Sequence, residues 1–277
     1  MATDLSERSD RALERAFRIA RLHGSRLFVI HAVDDSLPQM LIERQLAAAE
    51  ESLQDTVRAE PDTAGLDISF RIVAGDPYAA ILEQAETIDP DLLVLGIHRK
   101  DALRDLFRGT TIERVIRQSN WPVLVAQARP TADYRQVAAA VDFSPASRIA
   151  LRAGLQLAPT ARFSLVHSYD IPYGGLLDAP GVRAELQGEK LRRLDDFVVE
   201  EIRELQSRLT DQPVFEGPCV RQGSVVEVLY DAVRENEADL LVLGTHSRTG
   251  IGRAFLGSVA EVMLSDPPID ILIARGW

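Results

Sequence analysis

One cysteine, Cys219, stands in 277 residues, so no internal disulfide framework exists and nothing assigns the chain to an oxidising compartment. The five histidines show no ligand-like clustering, which speaks against a zinc site. Long apolar runs are missing too. No stretch approaches the ~20 residues that a membrane span needs, and the segment from Met1 to Asp10 lacks the apolar core of a signal peptide. Cations are in deficit, with 31 Lys and Arg against 42 Asp and Glu; the net charge of −11 argues against nucleic acid or an acidic membrane as the main partner. The expectation is a soluble, cytoplasmic chain. Neither glycine loop ends in Gly-Lys-Ser/Thr, which excludes a Walker A site, and Gly250-Ile251-Gly252 lacks the third glycine of a dinucleotide fingerprint.

What is present is a repeat. Asp-Leu-Leu-Val-Leu-Gly occurs at 91–96 and again at 239–244, an offset of 148 residues, about half the chain. Thirteen residues after each closing glycine comes a second glycine followed by a hydroxyl residue, Gly109-Thr110 and Gly257-Ser258. A buried strand, a glycine turn and a small-residue turn opening a helix form the layout of a phosphate-binding loop. With 46% hydrophobic residues the chain has material for two cores.

Each half reads as alternating strands and helices. In the first, helices are expected near 7–23, 37–60, 77–88 and 109–118, and strands near 27–33, 68–73, 92–95 and 122–126. In the second, a strand over 137–141 ends at Asp142. Ser144 caps a helix with Pro145 at its first position, running to Leu157. Strands follow at 163–167, 214–221, 240–243 and 269–274. The helices between them span about 182–209, 225–236 and 258–264. The long helix 182–209 places Leu186, Leu191, Leu194, Val198, Ile202 and Leu205 on one face. Strands alternating with helices imply parallel sheets with right-handed crossovers. Nothing in the first half matches strand 137–141, because the chain opens at Met1-Ala2-Thr3-Asp4. That reading leaves a gap at the centre of the first sheet and a start lying upstream of the given one. A linker is expected at 127–135, between domains at 1–129 and 133–277.

The pattern of glycine, two residues, glycine, nine residues, glycine and a hydroxyl residue resembles the universal stress protein family, in particular its tandem members, over essentially the whole chain. The resemblance implies two flavodoxin-like (adenine nucleotide alpha hydrolase-like) five-stranded α/β domains with helices on both faces. It implies ATP or AMP, with or without magnesium, in the cleft where strand order reverses. In the second half it assigns the nucleotide to Asp142, Ser168, Gly244, Ser247, Gly257, Ser258 and Val259. The matching first-half residues are Asp4, Ala32, Gly96, Gly109 and Thr110. Two departures stand out. The pattern's second glycine is Ser247 in the second half and Arg99 in the first, where a long side chain replaces close backbone approach. The first site therefore reads as a vestige. The serine-glycine-glycine loop of related pyrophosphatase-type ATP enzymes is absent; Asp142-Phe-Ser-Pro stands there.

Several residues carry two readings. Asp142 either supports the helix start with Ser144 or contacts the nucleoside. Arg99, Lys100, Arg104 and Arg108 form a solvated face or bind an anion. His98 and His246 are read as loop histidines, His31 and His167 as half-buried structural residues, Gly75 and Gly223 as turn glycines, and Cys219 as a buried apolar side chain. Fifth strands pair across the dimer axis in the family, so Val123–Ala126 and Ile271–Ala274 are expected to form an internal pseudo-dimer, with homodimerisation left open. The leading function is a cytosolic stress-response sensor or regulator, biased by nucleotide and read by an unidentified protein partner. The alternatives are a nucleotide-free interaction scaffold and an enzyme, either a slow ATPase or a user of adenylate chemistry.

Overall fold

The computed structural model describes residues 1–97, 110–169, 180–205, 213–245 and 256–276. The chain divides into two compact units at the Asp133–Tyr134 bond. Among the described residues no helix is long and apolar enough to cross a membrane.

The first unit runs β1 (Ala2–Thr3), α1 (Glu7–His23), β2 (Leu27–Val33), α2 (Gln39–Ala59), β3 (Ile68–Ala74), α3 (Pro77–Ile88), β4 (Leu93–Gly96), α4 (Thr111–Gln118) and β5 (Val123–Ala126). Its strands are parallel in the order β3-β2-β1-β4-β5. Because the order reverses at β1, right-handed crossovers put α1 and α2 on one face and α3 and α4 on the other. Local chemistry sets the helix ends. Ser6 caps α1 by accepting from Ser9 N, and Gly24 closes it in the left-handed conformation at φ 59°. Asp76 caps α3 with Pro77 at the first position.

The expected central gap is not there. Ala2–Thr3 is a two-residue strand seated between β2 and β4, with Ala2 opposite both Ile30 and Leu95. The amide of Ile30 donates to Met1 O, extending the ladder by one residue. Two residues suffice because the central strand needs only enough length to join its neighbours.

The second unit repeats the plan with β6 (Gln136–Ala140), α5 (Pro145–Leu157), β7 (Arg162–Tyr169), α6 (Pro180–Leu205), β8 (Val214–Phe215), β9 (Cys219–Gln222), α7 (Val225–Glu235), β10 (Leu240–Thr245), α8 (Ser258–Ser265) and β11 (Asp270–Arg275). Its order is β11-β10-β6-β7, with β8 and β9 both on the outer edge of β7. Strand 214–221, expected as one piece, is broken in two. Glu216-Gly217-Pro218 intervenes, and a proline cannot donate to the ladder.

On α6, Leu194 is buried and Leu186, Leu191, Val198 and Ile202 are half-buried, and among the described side chains the helix also buries Phe197 and Glu201. One further expectation is corrected. Cys219, expected to be buried, is half-buried, and desolvation raises its thiol pKa.

Candidate functional site

Strand order in the second unit reverses between β6 and β10, which are parallel neighbours. The chain leaves β6 through α5 toward β7, and leaves β10 through α8 toward β11. A crevice opens beyond the carboxyl ends of such a pair. Both crossover helices run back antiparallel to their strands, so the amino ends of α5 and α8 face that same edge.

The turn after β6 is built by local bonds. Asp142 is exposed, and its Oδ1 accepts the Ser144 amide at 3.0 Å. Ser144 caps α5 by accepting from Ser147 N at 3.2 Å. Between them Phe143 sits at φ 63°, a left-handed conformation that costs a non-glycine residue about 1–2 kcal/mol. The first unit repeats the aspartate–serine bond and the left-handed residue. Asp4 Oδ1 accepts the Ser6 amide at 3.0 Å, and Leu5 sits at φ 60°. Asp142 thus does support the helix start, as one of its two readings has it. That role leaves its exposed carboxylate at the crevice edge.

Glycine at the end of β10 answers to packing. A Cβ on Gly244 would lie 2.5 Å from Ala146 C and 2.6 Å from Ser147 N, inside the first turn of α5. The space a side chain would take is filled by α5, which gives a reason for glycine independent of any ligand. Gly96 is similar but looser, with nothing nearer than 3.2 Å. A Cβ on Gly276, just past β11, would likewise lie 3.0 Å from Ala146 Cβ and N, a requirement the repeat did not reveal.

The two small-residue turns differ. In the second unit Gly257, at φ 82°, is the N-cap of α8 and supplies no side-chain acceptor. The amides of Ser258, Val259 and Ala260 precede the first intrahelical bond, from Glu261 N to Gly257 O. Ser258 is exposed, Val259 half-buried. In the first unit the helix starts one residue later, and Thr110 itself is the cap, its hydroxyl accepting from Glu113 N at 3.2 Å. Asp4 also accepts the hydroxyls of Ser6 and Ser9.

At the end of β7, Ser168 donates its hydroxyl to Gly223 O at 2.6 Å, tying the strand to the turn before α7. Ala32, its counterpart in β2, is half-buried. Gly223 and Gly75 are turn glycines at φ 144° and 149°, donating to Tyr169 O and Val33 O. His167 is buried and its Nδ1 lies 2.7 Å from Val141 O; His31 is half-buried with Nδ1 at 2.9 Å from Thr3 O. Both are structural residues of the strand ends. Burial is the main cause that lowers the His167 pKa. Ser247, Gly109, Arg99, Lys100, Arg104, Arg108, His98 and His246 lie outside the described residues. Among the described residues no group of three or more His, Cys, Asp or Glu side chains is placed to hold a metal.

The structure therefore brings Asp142, Ser168, Gly244, Gly257, Ser258 and Val259 to one edge of the second sheet, and Asp4, Ala32, Gly96 and Thr110 to the matching edge of the first. The arrangement can seat an anion on the amides of α8 and offer a carboxylate to a polar group beside it.

Comparison with known proteins gives the same layout. The model of the universal stress protein family matches residues 1–127 and again 133–275. Universal stress protein E of Photorhabdus laumondii is 25% identical over 225 residues, covering 76% of this chain and 70% of that protein. Universal stress protein MJ0577 of Methanocaldococcus jannaschii is 24% identical over 149 residues, or 46% of this chain and 92% of the relative. Among solved structures, a universal stress protein from Archaeoglobus fulgidus aligns with a TM-score of 0.71 at 18% identity, over 100% of this chain and 97% of that one. That last likeness is one of fold.

Proposed function

The chain belongs to the universal stress protein family as a tandem of two of its domains, and from that premise we propose that its second unit binds an adenine nucleotide, ATP or AMP. In this reading the chain is a cytoplasmic sensor or regulator of the stress response, with domains at 1–129 and 133–277. The phosphates sit on the amides of Ser258 and Val259 and on the Ser258 hydroxyl, the nucleoside reaches Asp142, and the first site is a vestige. Ser247 and Ser168 belong to the same proposed pocket.

The observation that carries this reading is the unequal capping of the two duplicated turns. The cap Gly257 itself supplies no side-chain acceptor to the first amides of α8, whereas Thr110 closes the start of α4 with its own hydroxyl. Anions are stabilised at open helix starts by the free amides and the positive end of the helix. Binding would act by favouring the conformation in which those groups converge, a shift limited by the ligand's preference for that state.

Calorimetric titration of the whole chain with ATP and with AMP tests the proposal. Heat from at least one nucleotide is expected. Ser258→Ala, which leaves the backbone alone, should weaken binding by roughly tenfold through loss of one hydrogen bond to a charged group. Gly257→Asp should abolish it, because a carboxylate would then occupy the helix start. If neither nucleotide produces heat or a thermal shift, the sensor reading fails and the scaffold reading replaces it. Phosphate release that disappears in both variants would instead identify an enzyme.

A further inference from the structure

The turn after β6 is fastened to α6 in a way not repeated among the described residues of the first unit. The Phe143 ring packs at 4.8 Å from the His167 ring and edge-on at 5.8 Å from Phe197 of α6, and the Arg193 guanidinium lies 4.3 Å over it. Arg148 of α5 stacks on Phe197 at 4.6 Å. About one helical turn further along α6, the fully buried Glu201 takes both Arg148 and Arg152. In the first unit Leu5 stands where Phe143 does, and it is exposed.

We infer that His167 is a pH-sensitive pin: when neutral it locks the Asp142–Ser144 turn and α6 onto the end of the second sheet, and when protonated it releases them.

The chemistry follows from the hydrogen bond. Val141 O can only accept, so Nδ1 carries the hydrogen at 2.7 Å and Nε2 is the nitrogen left to take a second proton. His167 is only 8% exposed, so an imidazolium there loses most of its hydration. Among the described residues, the charged groups that face it are Lys190 and Arg193 from α6 and the Asp142 carboxylate from the turn. The neighbouring strand β9 sets uncharged Val220 opposite it, and Arg148 of α5 is committed to Glu200 and Glu201.

Burial first, then the two cations, hold the pKa below its ordinary 6.5, against the opposing pull of the Val141 bond and Asp142. The pinned state therefore binds fewer protons than a released one. Its advantage is fully present above the ordinary histidine value and is lost as the pH falls through the lower pinned value. Both repelling cations ride on α6, so moving that helix away relieves the charge. The inference needs no nucleotide and stands apart from the binding proposal.

Hydrogen exchange on the full chain, compared near pH 7.5 and near pH 5.5, spans the range in which such a histidine titrates. After correction for intrinsic exchange, protection of segments 141–147 and 185–204 should fall on acidification, by up to about tenfold, because pH 5.5 lies about one unit below the ordinary histidine value. His167→Gln should remove the acid response over both segments. Unchanged protection in the parent chain, or an equal loss in His167→Gln, overturns the pin. Should His167→Gln not fold, Phe143→Leu, a residue already present at the matching turn of the first unit, is measured instead. Its acid response over 185–204 must shrink, since the ring no longer couples His167 to the helix; an undiminished response overturns the inference equally.

Discussion

Gly96 and Gly244 close the two copies of one hexapeptide, yet the first turn of α5 crowds Gly244 far more closely than α1 crowds Gly96. A methyl group at Gly244 would collide with main-chain atoms of Ala146 and Ser147, which cannot rotate away; at Gly96 the nearest atoms stand 3.2 Å off. Gly244→Ala is expected to cost about 1–3 kcal/mol and Gly96→Ala less than about 1 kcal/mol. Urea denaturation of the two variants decides it, and equal losses would refute the packing account. Residues of the turns were legible where a local rule governs them. Asp142 and Ser144 advertise a capped start through their types and their spacing to Pro145. Phe143 was not legible, because no propensity selects phenylalanine for a left-handed conformation; the fold imposes it on whichever residue follows the aspartate, and Leu5 bears it too.

Helices and strands were readable wherever period and caps agree. α1 begins at Ser6 and ends at Gly24, and α3 and α5 begin at Asp76-Pro77 and Ser144-Pro145, as local rules direct. The burial of Glu201 on α6 was not readable, since a carboxylate scores as solvent-facing in any apolar periodicity. Glu201 is buried because Arg148 and Arg152, four residues apart on α5, reach it from one helix face, while Glu200 and Glu204 occupy their outer hydrogens. Removing one partner of such a cluster strands the rest. Glu201→Gln should therefore destabilise the chain by about 1–3 kcal/mol, a figure held down by the partial exposure of both arginines. A thermal melt reads the loss, which should shrink in high salt. A melt indistinguishable from the parent would mean that the carboxylate's charge contributes nothing.

At the scale of the whole molecule the duplication was plain in the sequence, since two copies of one hexapeptide and two glycine-hydroxyl pairs share one offset. The inequality of the copies was legible only in part. Arg99 against Ser247 hinted at it. The clearer difference, Thr110 acting as a cap where Ser258 does not, depends on a helix starting one residue later, and boundaries that fine are beyond pattern reading. The expected binding stoichiometry is one nucleotide per chain. Calorimetry reporting two equal sites would contradict the vestigial reading of the first unit, and Thr110→Ala should leave the measured affinity unchanged. The glycine cap of α8 also governs how such experiments must be prepared. Phosphate and sulfate carry the same oxyanion geometry as a nucleotide tail, so buffers containing them should compete for those amides, and titrations belong in zwitterionic buffer with chloride as the counterion.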